Sequence, residues 1–400
     1  MTTWQNGPSA LLAPTPMDAF KANHWDDAPL VIQGRGSSIY DGLLSIDEID
    51  ALIHQRSPGH PAFRLVKEGD EVPASAYTVD GVPWGTGTVS GFMNREATRA
   101  LMAEGCTFVM EAIQRAHPTI AQLSRHFEQT FHCPSPVNLY VTPPNARGFQ
   151  PHFDVQNVFV LQVHGTKRWQ VFDPHIRRPL PSQAVHGSVK PGELIHDITL
   201  EPGDLLYLPR GFVHVAHTTD QLSAHLSVSL MPHTWADVFR ALVDSIPNDE
   251  RFRSAIELQP NGPAEASENQ ERVFEQLVEA FVQGSDLEDA LDLLGRQFVS
   301  TRLPDTAGQL IALEGPQTVT HDSTLRRCSG IIWRVDADND HAHLHFHGKT
   351  ISAPWSAIQS LRWIATADSF TPSEIPGNLS ADTACQLAQH LVNEGFLTID

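Results

Sequence analysis

The hydrophobic pattern changes to a period of two between Pro136 and Pro232, and this change constrains the fold more than any other feature. The clearest run is LSAHLSVSL at 222–230, where apolar residues alternate with Ser and His. Such alternation gives a β-strand one apolar and one polar face. Five more short runs, VNLYVT, VFVLQV, RWQVF, LLYLP and FVHVAH, are separated by Gly, Pro and Asp turns. The pattern predicts an antiparallel barrel or a double-sheet jelly roll. Its polar face either lines a cavity or meets solvent.

Helical patterns flank this strand-rich region. Ser45 followed by Glu48 is a capping-box signature that predicts a helix start. Apolar stripes recur at helical spacing within 235–302, and strand-like runs such as GIIWRV and HAHLHFHG follow a break near LPDTAG. The predicted segments are a helical and strand scaffold at 1–130, the barrel at 131–234, a helical region at 235–305 and a small α+β module at 306–400.

Composition excludes several classes of protein. The 400 residues include 27 Lys and Arg against 47 Asp and Glu, a net charge of −20 that disfavours nucleic-acid binding. No stretch approaches 18 uncharged apolar residues, and the first 20 residues lack a signal-peptide pattern. The four cysteines form no CxxC pair and are interpreted as packing residues, so we expect a cytoplasmic protein. They are Cys106, Cys133, Cys328 and Cys385.

The negative charge is unevenly distributed along the chain. Residues 138–232 contain seven acidic and seven basic residues, whereas 237–292 contain 14 acidic residues and four arginines, a net charge of −10. An acidic segment next to a neutral core is able to steer a basic partner toward it.

One motif in the strand-rich region suggests a metal site. GFQPHFDV separates His152 and Asp154 by one residue, so on a strand both side chains point the same way. His214 follows 60 positions after Asp154, enough chain to return beside the first strand. Two imidazoles and one carboxylate form the facial triad of non-haem Fe(II) oxygenases. Two alternatives stay open: His217 replaces His214, although the two face opposite sides of a strand, or Asp154 only caps a turn.

The passages NLYVTPPNARGFQPHFDVQNVFVLQVHGTKRWQVFDP, LEPGDLLYLPRGFVHVAHT and HLSVSL resemble the JmjC-type, cupin-like 2-oxoglutarate oxygenases of the ribosomal oxygenase group. NHWDDAPLVIQGRG resembles the group's N-terminal entry into the fold. The resemblance implies a mainly β core with helices, in which a double-stranded β-helix barrel is followed by a helical dimerisation region and a C-terminal winged-helix-like domain. It therefore implies a homodimer.

The resemblance also implies roles for individual residues. The implied catalytic and metal-binding residues are His152, Asp154 and His214. Lys167 matches the lysine that pairs with the distal carboxylate of 2-oxoglutarate, and the other implied co-substrate residues are Asn138, Tyr140 and Ser229. A lysine in a GTKR turn is more often solvated, so that alternative stays open for Lys167. Arg168 is expected on the opposite, outer face.

The function implied is an Fe(II)- and 2-oxoglutarate-dependent dioxygenase that consumes O2 and hydroxylates a His or Arg side chain of a basic ribosomal protein. Two other hypotheses remain. One is an oxygenase acting on a peptide or small molecule of specialised metabolism, and the other is a non-catalytic cupin-like binding protein. The implied winged helix does not predict DNA binding, because residues 377–400 contain no Lys or Arg.

A second histidine cluster lies near the C-terminus. In HAHLHFH the imidazoles alternate with apolar residues, which predicts four of them on one strand face. Such a face suits zinc or nickel, but we interpret it as a solvated surface where metal binding is adventitious. The four residues are His341, His343, His345 and His347.

Overall fold

The computed structural model describes residues 3–54, 59–185, 187–246, 249–258, 266–303, 318–377 and 379–399. The chain forms two compact units, Met1–Pro232 and His233–Asp400. The division into four segments stays a prediction, and its proposed boundary between residues 305 and 306 lies outside the described residues.

In its described residues, the first unit contains five α-helices and fifteen strands. The helices are α1 (Pro8–Leu11), α2 (Met17–Asn23), α3 (Ile46–His54), α4 (Arg95–Ala103) and α5 (Pro118–Phe131). The strands are β1 (Leu30–Ile32), β2 (Phe63–Lys67), β3 (Asp70–Glu71), β4 (Thr78–Val79), β5 (Val82–Trp84), β6 (Gly87–Val89), β7 (Phe92–Met93), β8 (Thr107–Met110), β9 (Val137–Thr142), β10 (Asn157–His164), β11 (Lys167–Pro174), β12 (Leu194–Leu200), β13 (Leu205–Leu208), β14 (Phe212–Thr218) and β15 (Ser223–Leu230).

Two antiparallel sheets form the centre of this unit. One has the order β1-β13-β10-β15-β9-β8-β2-β3, and the other has the order β12-β11-β14. All six runs with period two are strands, namely β9, β10, β11, β13, β14 and β15. The sequence pattern missed β12, whose side chains are largely exposed.

Alternation along β10 shows how the two faces of the large sheet are used. Phe159 packs with helix residues Phe20 and Phe127, at ring-centroid distances of 5.6 and 5.1 Å. Val160 points the other way and shares a buried cluster with Trp169 of the small sheet. The large sheet therefore buries one face under helices and the other against the second sheet, as in a double-sheet fold.

The predicted capping box at the start of α3 is confirmed. The Glu48 backbone N–H donates to Ser45 Oγ at 3.2 Å, and the Ser45 backbone N–H donates to Glu48 Oε2 at 2.8 Å. The helix then buries Ile49, Leu52 and Ile53, which positions it against the large sheet's core.

The part of the second unit that the structure describes contains five α-helices and six strands. The helices are α6 (Trp235–Ser245), α7 (Glu268–Gly284), α8 (Leu287–Ser300), α9 (Ile358–Thr366) and α10 (Ala381–Asn393). The strands are β16 (Leu325–Arg327), β17 (Trp333–Ala337), β18 (His341–Phe346), β19 (Lys349–Pro354), β20 (Ser369–Phe370) and β21 (Leu397–Ile399). They pair in the orders β20-β16-β21 and β17-β18-β19. The winged-helix assignment stays a prediction.

The prediction of four histidines on one strand face is wrong in one respect. β18 ends at Phe346, and His347 lies in the following turn with a φ of 46° and a buried side chain. The turn to β19 forces this residue out of the strand conformation, so only His341, His343 and His345 share the face. No helix in the described part of the chain is both long and apolar enough to cross a membrane.

Candidate metal centre

The HxD motif is held by backbone hydrogen bonds to β14 and to the turn that precedes it. The His152 N–H donates to the His214 carbonyl at 3.1 Å, and the His214 N–H donates to the His152 carbonyl at 2.8 Å. The Gly211 N–H donates to the Asp154 carbonyl at 2.8 Å. The expected placement of the motif on a regular strand is wrong, because His152 forms only an isolated bridge. Pro151 has no N–H with which to continue a ladder there.

His152, Asp154 and His214 nevertheless come together. One ligand atom from each lies within 4.8 Å of the others, and this is the one such group of three among the residues that the structure describes. His214 Nε2 lies 3.7 Å from Asp154 Oδ2. The sequence pattern therefore predicted correctly that these three residues lie together, but the strand conformation that it predicted at His152 is wrong.

Both imidazoles are oriented by backbone carbonyls. Nδ1 of His152 lies 2.8 Å from the Gln150 carbonyl, and Nδ1 of His214 lies 3.1 Å from the Phe212 carbonyl. A carbonyl only accepts, so each Nδ1 carries a proton, and in the neutral form of each ring Nε2 is the nitrogen with the lone pair. This is the arrangement in which protein histidines hold metal ions.

Burial keeps His214 neutral. Desolvation, and then the neighbouring His152 imidazole, lower the pKa of His214 to about 4, while Asp154 opposes them. An unprotonated imidazole is the form that binds a metal. Two imidazoles and one carboxylate fit a divalent ion of the iron class.

A cavity of about 170 Å³ extends from the triad between the two sheets. Lys167 lines it and is 4% exposed, which excludes the solvated-turn interpretation. Lys167 Nζ donates to Thr142 Oγ1 at 3.0 Å, and burial lowers the pKa of Lys167 to about 7. A buried amine with a hydroxyl partner is suited to an anion that enters the cavity.

The other implied co-substrate residues divide into two groups. Tyr140 lines the cavity, whereas Asn138 and Ser229 are not among the residues that line it. Asn138 Oδ1 instead accepts from the Ala112 backbone N–H at 2.9 Å. The roles of these residues in co-substrate binding stay predictions.

Several cavity residues were not identified from the sequence. His225 is buried and stacks on Tyr140 with ring centroids 4.8 Å apart and planes 2° apart. Its position on the polar face of LSAHLSVSL was the available signal. Arg64 comes from β2, and its guanidinium lies 5.4 Å from the centroid of the Phe149 ring. Nothing in the sequence near the motif points to Arg64.

Arg168 and His217 both lie outside the cavity, as expected. Arg168 is exposed and forms an ion pair with Asp197 at 2.5 Å. His217 pairs with Arg168 across the sheet and does not line the cavity with the triad. His214 is therefore the histidine of the FVHVAH run that meets His152.

These features define a cupin-like, double-sheet fold with an H-x-D and a distant His gathered between the sheets. Residues 109–238 match the family model described as JmjC domain, so this part of the chain is similar to that domain. Escherichia coli YcfD shares the fold, with a TM-score of 0.56 and 20% identity over 96% of this chain and 98% of that chain. A second structure, YcfD in complex with cobalt and 2-oxoglutarate, gives a TM-score of 0.54 and 19% identity over the same shares.

Curated relatives match part of the chain more closely in sequence. Ribosomal oxygenase 1 of Rattus norvegicus is 33% identical over 238 residues, covering 58% of this chain and 38% of that protein. The bifunctional lysine-specific demethylase and histidyl-hydroxylase NO66 of Aedes aegypti is 32% identical over 233 residues, covering 57% of this chain and 35% of that protein. The chain thus spans little more than a third of the length of either relative.

Proposed function

We propose that this chain is an Fe(II)- and 2-oxoglutarate-dependent protein hydroxylase that acts on a histidine or arginine side chain of a ribosomal protein in the cytoplasm. The observation that carries the proposal is the meeting of His152, Asp154 and His214 at one end of a cavity that also contains the buried Lys167. Relatives named ribosomal oxygenase and histidyl-hydroxylase support the substrate class.

The triad would hold the iron through two Nε2 atoms and one carboxylate oxygen. When bound, ferrous iron with 2-oxoglutarate and dioxygen supplies the chemistry that inserts one oxygen atom into a C–H bond. The residues of the chain contribute by holding the metal ligands in position. The carbonyls of Gln150 and Phe212 fix the two rings, and the backbone bridge fixes the distance between them.

Lys167 would receive the distal carboxylate of 2-oxoglutarate. The ammonium supplies charge, and Thr142 Oγ1, which now accepts from Lys167, holds the amine in place. Because the site is buried, water competes weakly for this ion pair. Tyr140 and His225 form a flat stacked wall beside it, which restricts where the co-substrate and the substrate lie.

An acidic approach to the triad supports a cationic substrate. A second cavity of about 580 Å³ is lined by His152 and Asp154 and also by Glu68, Asp70 and Gln150. Glu68 and Asp70 are exposed and are able to attract a basic segment of a substrate protein.

Intact-mass measurement of ribosomal proteins tests the substrate. Cells with the wild-type protein are compared with cells that lack it and with cells that carry His152→Ala. We expect one ribosomal protein to be about 16 Da heavier only with the wild type, the mass of one added oxygen atom, and fragment masses then show whether the site is His or Arg. Identical masses in all three strains would reject a ribosomal substrate.

We also propose that the chain is a homodimer. Trp235 and Phe239 of α6 and Phe274 and Val282 of α7 are 58–68% exposed, which is unusual for large apolar side chains at helical spacing. The proposed cover for these side chains is a second copy of the chain, in agreement with the dimerisation region implied by the sequence.

A further inference from the structure

Strand β18 carries metal-binding side chains that the proposed oxygenase function does not use. His341 and His343 lie two residues apart on one face of the strand, and their ring centroids are 6.2 Å apart. Asp338 lies in the turn that joins β17 to β18. All three belong to the unit His233–Asp400, whereas the JmjC triad belongs to the other unit.

His343 is fixed between a carboxylate and a hydroxyl group. Its Nε2 lies 3.1 Å from Asp338 Oδ2, and its Nδ1 lies 2.9 Å from Ser352 Oγ on the neighbouring strand β19. Two donors on a tetrahedral zinc ion are about 3.3 Å apart, given metal–donor distances near 2.0 to 2.1 Å. His343 and Asp338 are therefore already at the separation of co-ligands, and Ser352 is placed to orient the ring.

Asp338 is held in a fixed orientation with a charged carboxylate. Its Oδ1 accepts from the backbone N–H groups of His341 at 2.7 Å and Asp340 at 2.9 Å. These bonds, that of His341 first, and the His343 imidazole hold the pKa of Asp338 well below its ordinary value. The second oxygen, Oδ2, remains directed at His343.

His341 is the movable donor. Its Nδ1 lies 4.0 Å from Asp338 Oδ1, and its side chain is 55% exposed. Two imidazoles on one tetrahedral ion have ring centroids about 5 Å apart, so the His341 ring needs to approach His343 by about 1 Å. An exposed ring makes this rotation without breaking core contacts.

His345 has a different environment. Its Nε2 lies 3.0 Å from Asp336 Oδ1, but Asp336 Oδ2 also lies 3.3 Å from Arg296 Nη1 and 3.9 Å from Arg334 Nε. Two guanidinium groups repel a divalent cation and already neutralise the carboxylate. The pair of His345 and Asp336 is thus a structural ion pair and not part of the site.

We propose that His341, His343 and Asp338 form a second metal site, which binds Zn²⁺ and ties the β17–β18 turn to the sheet. The ligand types are those that zinc takes in proteins, with water in the fourth position. This replaces the interpretation of the histidine face as a merely solvated surface. The site is independent of the proposed oxygenase activity.

Zinc stoichiometry in the full chain tests the proposal. The JmjC triad is first removed with His152→Ala and Asp154→Ala, and bound zinc is then measured after equilibrium dialysis against Zn²⁺. We expect one saturable zinc ion per chain in this background and none after either His343→Ala or Asp338→Asn is added. We also expect zinc to raise the unfolding temperature only where the site is intact. Thermal unfolding without zinc verifies that each variant is folded.

Two matched controls locate the ion. His54 and Asp50 form an exposed pair at 2.9 Å that belongs to no group of three metal-binding side chains among the described residues, so His54→Ala should leave one zinc ion bound. His345→Ala should do the same. No saturable zinc in the triad-free background would overturn the proposal. So would zinc that persists after the joint change His341→Ala and His343→Ala, since that result would show adventitious binding only.

Discussion

His152 and His214 exchange both backbone hydrogen bonds, at 3.1 and 2.8 Å, and their ring centroids are 4.4 Å apart. Residues 62 positions apart in the chain are thereby fixed by main-chain atoms, while the side chains remain free to bind. The relationship explains how a loop segment without regular strand structure presents metal ligands as rigidly as a sheet does.

Gly211→Ala should destabilise the protein and loosen the metal centre. Gly211 has a φ of +92°, and a Cβ there would lie 1.9 Å from the Ile176 carbonyl oxygen. The backbone would have to move and would strain the bond from Gly211 to Asp154. We expect the free energy of unfolding to fall by about 2 kcal/mol or more, measured in urea, with weaker Mn²⁺ binding.

Gly187→Ala is the matched control for that change. Gly187 has a φ of +96°, but no atom of the described residues lies within 4 Å of an added Cβ. Gly187→Ala therefore shows how much stability is lost when alanine adopts a positive φ, without the steric clash that is expected in Gly211→Ala. Equal losses of stability and of metal affinity in both variants would contradict the role assigned to Gly211.

Binding of 2-oxoglutarate should weaken as the pH rises. Burial lowers the pKa of Lys167 to about 7, so the ammonium that pairs with the co-substrate is present below pH 7 and is lost above it. The dissociation constant should increase about tenfold between pH 6 and pH 8. Calorimetry on the Mn²⁺-loaded protein measures it.

Lys167→Met separates the contribution of Lys167 to this pH dependence from the contributions of other titrating groups. The variant should bind 2-oxoglutarate much more weakly than the wild type at pH 6 and approach it at pH 8, because neutral lysine and methionine both lack charge. A ratio of the two dissociation constants that is constant over this pH range would show that Lys167 does not provide the charge.

Turnover of a basic protein substrate should depend on ionic strength. Residues 237–292 carry a net charge of −10, and Glu275 and Glu279 of α7 are exposed. Neutralising both with Glu→Gln changes should lower kcat/KM at low salt by about two- to tenfold and flatten its salt dependence. If wild-type kcat/KM does not change between about 0.01 M and about 0.5 M salt, the acidic segment does not steer the substrate.

Phe274→Glu should convert a dimer into a monomer. Phe274 is 68% exposed on α7, and a charge there would be desolvated in the proposed interface. Sedimentation gives the mass of the particle. Trp84→Glu is the control, because Trp84 is similarly exposed, at 63%, in the first unit. A wild-type chain that sediments as a monomer at micromolar concentration would contradict the proposal.

The sequence was most informative where side-chain period follows burial. The alternation in β15 was readable because its apolar side chains pack in the core under the helices, whereas His225 and Ser227 on its other face line the cavity. β12 was missed because it is a largely exposed edge strand, so burial imposes no alternation on its sequence. The backbone at His152 was misjudged because Pro151 interrupts a pattern that otherwise resembles a strand.

The residues of the candidate site were also identified only where the sequence carries a local signal. His152, Asp154, His214 and Lys167 were identified because their spacing or family resemblance singles them out, and they do converge. Arg64 was missed because it reaches the cavity from a strand far along the chain, and such long-range contacts leave no local signal. The sequence marks His225 only as one polar residue among the serines of LSAHLSVSL.

Absorbance of the iron-loaded protein tests the central proposal most directly. Under anaerobic conditions, ferrous iron and 2-oxoglutarate added to the wild type should produce a visible charge-transfer band. His217→Ala should retain this band, because His217 lies outside the cavity, whereas His214→Ala should abolish both the band and 2-oxoglutarate turnover. A wild-type protein with bound iron but no band, or a band that survives in His214→Ala, would contradict the assignment of this site.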